Sequence, residues 1–189
     1  MKELEERILK DGKVIGDDIL KVDAFINHQI DTKLVFEIGK YLSSKFSDVT
    51  KILTIEASGI AFAIGVARFY NDIPIVFAKK SKSKTVFDNE IYKTTIKSFT
   101  RGTESIVTIN KNYLTEDDKV LIIDDFLAEG NASVGLVDLC NQAKAKVVGV
   151  GIVIEKGFQG GRKRLEELGL RVESCAIIDK FLDGKVVFK

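Results

Sequence analysis

Short apolar runs that alternate with longer helical patterns constrain the fold of this chain more than any other feature. The run VLII at 120–123 is apolar at every position, and the run at 147–154 is apolar and punctuated by glycine. A strand that is apolar on both faces is typical of a parallel sheet with helices on both sides. Right-handed crossovers between such strands then predict an α/β fold with a doubly wound, mainly parallel sheet.

Two strand–helix–strand units account for the middle of the chain. The first has a strand at 51–55, a helix at 59–70 and a strand at 74–78. The second has a strand at 120–123, a helix at 132–143 and a strand at 147–154. We expect both units to belong to one domain that spans residues 1–189.

Two other segments depart from this alternation. Residues 79–84 are basic and polar, and a weak strand pattern at 92–99 and a β-branched run at 105–109 follow them. These patterns predict a long mobile loop with flanking hairpin strands. Within residues 1–50, a helix at 4–9, a short apolar run at 19–22 and a helix opened by Asp31 predict a small hood at the sheet edge.

Composition limits the partners and the compartment. The 29 basic and 28 acidic side chains give a net charge of +1, which provides no field to attract nucleic acid or an anionic membrane. Two cysteines cannot form a disulfide framework or a four-cysteine zinc site, and His28 is the only histidine. The amino terminus is charged, and no apolar run reaches the roughly 18 residues of a membrane span. We therefore expect a cytoplasmic protein.

The most informative motif is VLIIDDFLAEGNA at residues 120–132. It predicts a strand, two adjacent carboxylates at its carboxyl end, a tight turn at Gly130 and a helix. Backbone N–H groups of such a turn, together with the helix dipole, bind phosphate. We expect the chain to turn at Asp124 and Asp125, so that both carboxylates reach a ribose diol or a hydrated magnesium ion. The motif therefore predicts a ribose-5-phosphate site.

This motif resembles the signature of the type I phosphoribosyltransferases. The loop IEASGI at 55–60 is similar to the diphosphate-binding loop of their adenine and xanthine members, and Lys79-Lys80 is similar to their basic turn. The stretches at 92–100 and at 154–158 resemble the bacterial xanthine branch of the family. The resemblance covers essentially the whole chain. It implies transfer of a phosphoribosyl group from 5-phosphoribosyl 1-diphosphate (PRPP) to xanthine, giving XMP and diphosphate in purine salvage.

The resemblance also assigns roles to particular residues. Asp124 and Asp125 would hold the ribose hydroxyls and the shell of a substrate-bound Mg²⁺, and the loop at 81–89 would close over the substrates. The residues expected to bind PRPP are Ala57, Ser58, Gly59, Lys80, Ala128, Glu129, Gly130, Asn131 and Ala132. The residues expected to contact the base are Leu20, Asn27, Phe126 and Lys156. A homodimer is implied as well.

The expected base contacts make chemical sense. Xanthine is an acidic dioxopurine, so an ammonium group at Lys156 near O6 and N7 favours it over adenine. The Asn27 amide can donate to the 2-oxo group, where guanine has an amine. Alternatives are the same enzyme class with guanine, hypoxanthine or adenine, or a PRPP-sensing regulator that binds nucleic acid. The second is disfavoured by the net charge of +1.

Two details of the sequence qualify this interpretation. Many family members have Thr where this chain has Glu129, and a hydroxyl residue where it has Ala132. A carboxylate would repel a phosphate, so we expect the Glu129 side chain to point outward and only its backbone N–H to bind. Glu155, beside Lys156, is interpreted as a solvated neighbour without a role.

Overall fold

The computed structural model describes residues 1–16, 18–80, 88–97 and 104–189. Its helices and strands follow the chain in this order: α1 (Lys2–Asp11), β1 (Lys13–Ile15), β2 (Ile19–Lys21), α2 (Thr32–Ser43), β3 (Lys51–Ile55), α3 (Gly59–Ala67), β4 (Ile75–Ala78), β5 (Ile91–Lys97), β6 (Glu104–Asn110), β7 (Lys119–Leu127), α4 (Asn131–Gln142), β8 (Lys146–Lys156), α5 (Gly161–Glu167), β9 (Val172–Leu182) and β10 (Lys185–Phe188). Short 3₁₀ turns follow α3 and β6, and another precedes β5.

The central sheet confirms the predicted α/β class. Its six strands lie in the order β10-β9-β8-β7-β3-β4, and every neighbouring pair is parallel except β10 with β9. Helices α1, α2 and α3 contribute to one hydrophobic core, and α4 and α5 contribute to a second core together with the β5–β6 hairpin. The sheet is therefore covered by helices on both faces, as the apolar runs predicted.

Strict alternation of side chains is broken at one level of the sheet. In β7, Ile123 and Phe126 pack with the first core, whereas Leu127 packs with the second. In a regular strand, residues on one face are an even number of positions apart. Ile123 and Phe126 share a layer although they are three residues apart, so the alternation is interrupted between them. The neighbouring strand β8 does the same, because its consecutive residues Val153 and Ile154 both lie in the first core. The break thus runs across adjacent strands beside the acidic pair.

The amino-terminal segment folds largely as expected. Asp31 caps α2 by accepting a hydrogen bond from the backbone N–H of Leu34 at 3.1 Å. The apolar run at 19–22 forms β2, which pairs with β1 in an antiparallel hairpin. The predicted strands of the second hairpin are also confirmed, because β5 and β6 pair over seven residues each. The loop residues 81–87 and the hairpin residues 98–103 lie outside the described part of the chain.

The last thirty residues add elements that the apolar runs did not predict. Helix α5 and strands β9 and β10 complete one side of the sheet. A signal for the final hairpin was present in the dipeptide Asp183-Gly184, since both residues take positive φ values of 50° and 71° in the turn. Among the described residues, no helix is both long and apolar enough to cross a membrane.

Candidate active site

A cleft of about 440 Å³ lies at the carboxyl ends of the central strands. It is bordered by the hood, the loop after β3, the β5–β6 hairpin and the turn between β7 and α4. Most of the predicted site residues line it: Ala57, Ser58, Lys80, Asp124, Asp125, Phe126, Ala128, Glu129, Gly130, Asn131, Ala132 and Lys156. The structure therefore brings together residues that are up to 99 positions apart in the sequence (57 to 156).

The acidic pair lies within β7 and not beyond its end. The expectation that the chain turns at Asp124 and Asp125 is wrong, because the strand continues to Leu127. Both carboxylates still line the cleft, since the alternation is broken at this point. The hydrophobic run that ends at Ile123 indicated where the apolar part stops, but strand pairing with β8 extends past it.

Asp124 is 4% exposed, and its Oδ1 accepts a hydrogen bond from the backbone N–H of Asp125 at 3.0 Å. Burial raises the pKa of this carboxyl well above its usual range, and the neighbouring Asp125 carboxylate raises it further, whereas Lys80 lowers it. A buried carboxylate in this state gains from any ligand that donates hydrogen bonds to it. The hydroxyl groups of a sugar are such donors.

The turn after β7 has the geometry of an anion-binding site. Gly130 adopts φ 79°, a conformation that favours glycine, and it precedes the first residue of α4. The first backbone N–H groups of this helix therefore open toward the cleft. Arg164 of α5 supports the turn from behind, because its Nη1 donates to the Glu129 carbonyl oxygen at 2.5 Å and to Asn131 Oδ1 at 2.7 Å.

The β5–β6 hairpin also reaches this turn, which the sequence did not indicate. Asn131 Nδ2 donates to the carbonyl oxygen of Lys97 at 3.1 Å, and Lys97 and Ser105 line the cleft. The side chain of Glu129 is directed toward Gly160, with Oε2 about 3.5 Å from where a Cβ of that residue would lie. Its predicted outward orientation stays a prediction, since Glu129 also lines the cleft.

The loop between β3 and α3 lies against the acidic pair. A Cβ on Gly59 would come within 2.2 Å of Thr54 Oγ1 and 3.5 Å of Asp124 Oδ1, so only glycine fits at this contact. The loop is held at its start by Glu56, whose Oε1 accepts from the backbone N–H of Lys80 at 2.5 Å. This contact brings the basic turn to the same edge as the loop.

The expected base contacts separate into two groups. Lys156 and Phe126 line the cleft, whereas Leu20 and Asn27 do not. Leu20 is 7% exposed and packs in the first core, because it faces away from its cleft-lining neighbour Ile19. Asn27 Oδ1 instead accepts a hydrogen bond from Ser58 Oγ at 2.5 Å. Direct contacts of Leu20 and Asn27 with a base therefore stay a prediction.

Lys156 connects the end of β8 to the hood. Its Nζ donates to the carbonyl oxygen of Asp18 at 2.5 Å. Burial lowers the pKa of Lys156, and the Asp18 carboxylate opposes that shift. The ammonium group is therefore held at the wall of the cleft by a hood residue.

Glu155 is not the solvated neighbour that the sequence suggested. It is 2% exposed and forms an ion pair with Arg162, in which Nη2 lies 2.6 Å from Oε2 and Nε lies 2.8 Å from Oε1. The interpretation was wrong because the partner lies on α5, a short helix that was not predicted. An Arg seven residues after a strand-end Glu gave no recognisable spacing.

The donor set at the cleft fits a magnesium ion that arrives with its substrate. Asp124 and Asp125 provide carboxylate oxygens, which this hard cation prefers, and Mg²⁺ is commonly held by one or two carboxylates together with substrate phosphates. No group of three or more potential metal ligands occurs in the part of the chain that the structure describes. The residues therefore fit a shared ion better than a closed protein cage.

Comparison with known proteins identifies the family. Residues 27–181 match the model of the phosphoribosyl transferase domain. This match covers more than half of the 189 residues, so the chain belongs to the phosphoribosyltransferase family. The chain is therefore an enzyme of the pentosyltransferase class.

Similar curated proteins carry a narrower name. The chain is 52% identical over 191 aligned residues to a xanthine phosphoribosyltransferase of Clostridium novyi (strain NT), covering 100% of both. It is 53% identical over 190 residues to a xanthine phosphoribosyltransferase of Lactococcus lactis subsp. cremoris (strain SK11), covering 100% of this chain and 95% of that protein. The predicted resemblance to the xanthine branch is thereby confirmed.

Solved structures share the fold at lower identity. Adenine phosphoribosyltransferase from Thermoanaerobacter pseudethanolicus is 22% identical with a TM-score of 0.72, covering 92% of this chain and 98% of that one. The Trypanosoma brucei adenine phosphoribosyltransferase, solved with AMP, pyrophosphate and ribose-5-phosphate, is 17% identical with a TM-score of 0.75, covering 92% and 78%. These likenesses confirm the type I phosphoribosyltransferase fold.

Proposed function

We propose that this enzyme transfers the phosphoribosyl group of PRPP to xanthine, giving XMP and diphosphate. The observation that carries the proposal is the single cleft that joins a phosphate-binding turn, an acidic pair and a half-buried ammonium group. These three features match a 5′-phosphate, a ribose diol and an acidic base. The similarity to xanthine phosphoribosyltransferases at about half identity supports the same substrate.

In this mechanism the residues stabilise charge and form no covalent bond with the substrate. A base nitrogen attacks C1′ of the ribose and loses its proton to solvent, while the bond from C1′ to diphosphate breaks and its electron pair leaves with the diphosphate. The ribose gains positive charge as the bond lengthens, and the leaving group gains negative charge. The backbone N–H groups of Ala57, Ser58 and Gly59 donate to the diphosphate, and Lys80 neutralises it.

The remaining residues orient the two substrates. Asp124 and Asp125 accept hydrogen bonds from the ribose hydroxyls, and the turn at 128–132 binds the 5′-phosphate. Asp124 and Asp125 would hold the shell of a substrate-bound Mg²⁺, which would supply positive charge to the diphosphate. Both subsites fix C1′ between the leaving group and the base, which lowers the entropic part of the barrier.

Lys156 and Phe126 form the base side of the cleft. The ammonium group donates to O6 and N7 of xanthine, where adenine has a donor amine. To do so, Lys156 exchanges its bond with the Asp18 carbonyl for bonds with the base. Because a buried donor left without an acceptor is costly, this exchange penalises bases that lack an acceptor at O6.

We also propose a cytoplasmic homodimer that binds no nucleic acid. The partner surface is supported by a groove of about 650 Å³ beside β4, an edge strand of the central sheet. Phe77 and Tyr113 line it and are 39% and 62% exposed. Exposed apolar surface of this kind often marks a protein interface. Light scattering on the purified protein should give twice the mass of one chain.

A base-competition experiment tests the proposed reaction. Purified protein is incubated with Mg²⁺, PRPP and xanthine, guanine, hypoxanthine or adenine in turn, and the nucleotides are separated by chromatography. We expect XMP to form fastest and to appear with an equal amount of diphosphate. Preferred turnover of adenine or guanine would place the chain elsewhere in the family.

A further inference from the structure

Helix α5 contacts the turn after β7 and the carboxyl end of β8, although its own residues do not line the cleft. Its first residue, Gly161, donates its backbone N–H to the Ala128 carbonyl oxygen at 3.0 Å. A Cβ on Gly161 would come within 2.3 Å of that oxygen and 2.9 Å of the Gly130 nitrogen, so the helix is pressed against the phosphate turn. Arg162, the next residue, reaches in the other direction toward the end of β8.

The bond between Arg162 and Glu155 is two-pronged and fully partnered. The guanidinium donates to both carboxylate oxygens, at 2.8 Å and 2.6 Å, and Ser174 Oγ donates to Oε2 at 2.5 Å. Arg162 Nη1 also donates to the Val172 carbonyl oxygen at 3.0 Å. Such paired, charge-assisted bonds fix both distance and orientation. The carboxyl end of β8 is thus anchored to α5 and to β9 by side chains.

Lys156 is the residue that immediately follows this anchor. Glu155 is buried on the side of the sheet that carries α5, whereas Lys156 extends to the cleft and the hood. Because consecutive residues share a peptide unit, a Glu155 side chain locked in one orientation also restricts the direction in which Lys156 leaves the strand. A long lysine side chain otherwise loses much rotamer freedom when it binds a base.

We propose that Glu155 and Arg162 are positioning residues that act through Lys156 to set the affinity for the purine base. The proposal rests on the proposed function, since it requires Lys156 to contact the base. Neither residue touches a substrate. They hold Lys156 in the direction that base binding requires. This lowers the entropy cost of binding the base and leaves the transfer step itself unchanged.

The test compares steady-state constants of three single variants. R162K keeps a positive charge opposite Glu155 but loses the two-pronged bond, and E155Q keeps the shape but loses the negative charge. K163Q is the matched control, because Lys163 lies on the same helix, is 82% exposed and has only a 3.9 Å contact with Glu167. We expect R162K and E155Q to raise the KM for xanthine at least fivefold, with kcat and the KM for PRPP within twofold. K163Q should match the parent enzyme.

A double-variant cycle separates positioning from a general loss of structure. If Arg162 acts through Lys156, adding R162K to K156A should raise the dissociation constant for xanthine no further. Equilibrium binding measures this even where turnover is slow, and melting curves show that each variant is folded. E155Q combined with K156A repeats the cycle should R162K fail to fold.

If the KM for xanthine does rise, two results would still overturn the proposal. One is an equal rise of the KM values for xanthine and PRPP, which indicates a structural role for the ion pair. The other is an undiminished effect of R162K or E155Q in the K156A background, which means that the pair does not act through Lys156. Absence of XMP with the parent enzyme would refute the proposed function and this inference with it, whereas XMP formation with an unchanged xanthine KM in both variants refutes the inference alone.

Discussion

The carboxyl ends of β7 and β8 each carry a buried carboxylate, and the two carboxylates differ in their hydrogen-bond and ion-pair partners. Asp124 is 4% exposed and Glu155 is 2% exposed. Glu155 has an arginine on both oxygens and a serine hydroxyl beside them. Asp124 accepts a hydrogen bond from the backbone N–H of Asp125, whose carboxylate raises the pKa of Asp124, whereas Lys80 acts on it only through its charge. The two strand ends are adjacent, yet only one charge is neutralised.

This difference indicates which buried carboxylate can still gain hydrogen bonds from a ligand. A buried charge with a complete set of partners has little to gain from a ligand, so it stabilises the protein. A buried charge without a cation is costly in the free protein, and that cost is removed when donors arrive. This difference supports the proposals that the end of β7 binds a ligand and that the end of β8 holds Lys156 in place for one.

We expect the largest effect on activity when the acidic pair of β7 loses a charge. Asp124→Asn or Asp125→Asn retains shape but removes the charge that we propose to face the ribose hydroxyls. We expect kcat to fall roughly a hundredfold or more in each variant, because stabilisation of the transition state is lost. The measurement is XMP formation at saturating substrates. Unchanged turnover in the double variant would remove the acidic pair from the mechanism.

The next effect concerns the other strand end. Lys156→Ala removes the ammonium group that we propose to contact the base, so the KM for xanthine should rise tenfold or more, a loss of at least about 1.4 kcal/mol. Binding of PRPP should barely change, since the phosphate turn does not contain Lys156. Equilibrium binding of each substrate checks this. Equal weakening of both would indicate that the lysine is structural.

Stability should distinguish the two carboxylates directly. Glu155→Gln weakens a buried ion pair, and we expect it to lower the free energy of unfolding by about 1–3 kcal/mol. Asp124→Asn removes a buried charge that forms no direct ion pair among the described residues, so it should raise the free energy of unfolding of the unliganded protein by about 1 kcal/mol. Urea unfolding at neutral pH measures both. Destabilisation of similar size in the two variants would contradict the comparison.

The gain from Asp124→Asn should also depend on pH. Because the pKa of Asp124 is raised in the folded protein, the native state binds this proton more tightly than the unfolded chain does. The parent protein therefore loses stability as the pH rises from about 4, the ordinary value for an aspartate, through the raised value of the folded state. The gain should be smallest below pH of about 4 and largest at neutral pH. A gain that does not change with pH would refute this cause.

The smallest effect is expected at the turn after β7. Glu129→Thr replaces a carboxylate near the phosphate turn with the hydroxyl residue common in the family. Activity should be retained, and the dissociation constant for PRPP should stay the same or fall slightly, because a repulsive charge is removed. Calorimetric titration with PRPP measures this change. A collapse of activity would show that the Glu129 carboxylate has a direct role.

The sequence predicted those parts of the molecule whose causes are local. The apolar runs identified the strands on either side of the site, and the motif at 120–132 identified the acidic pair and the phosphate turn. Burial of Glu155 could not be predicted in the same way, because it depends on where a seven-residue helix packs. Contacts such as Lys156 with Asp18, which are 138 positions apart, depend on how the hood meets the sheet.

Side-chain direction was the other limit. The amino-terminal run at 19–22 was expected to supply Leu20 to the base, but the strand turns Ile19 toward the cleft and Leu20 toward the core. A shift of one residue in a strand exchanges its two faces, and a run with two adjacent apolar residues does not determine which one faces inward. The pattern identified the segment, and a direct contact of Leu20 with the base stays a prediction.

The break in side-chain alternation within β7 affects which one-residue deletions its pairing with β8 can accept. A one-residue deletion in β7 just before Phe126 would restore regular alternation in that strand and leave Phe126 and Leu127 in their present layers. Strand β8, which puts Val153 and Ile154 in one layer, would then be out of step with it. We therefore expect a deletion in β7 alone to disturb its pairing with β8, and a matching deletion in β8 to restore that pairing.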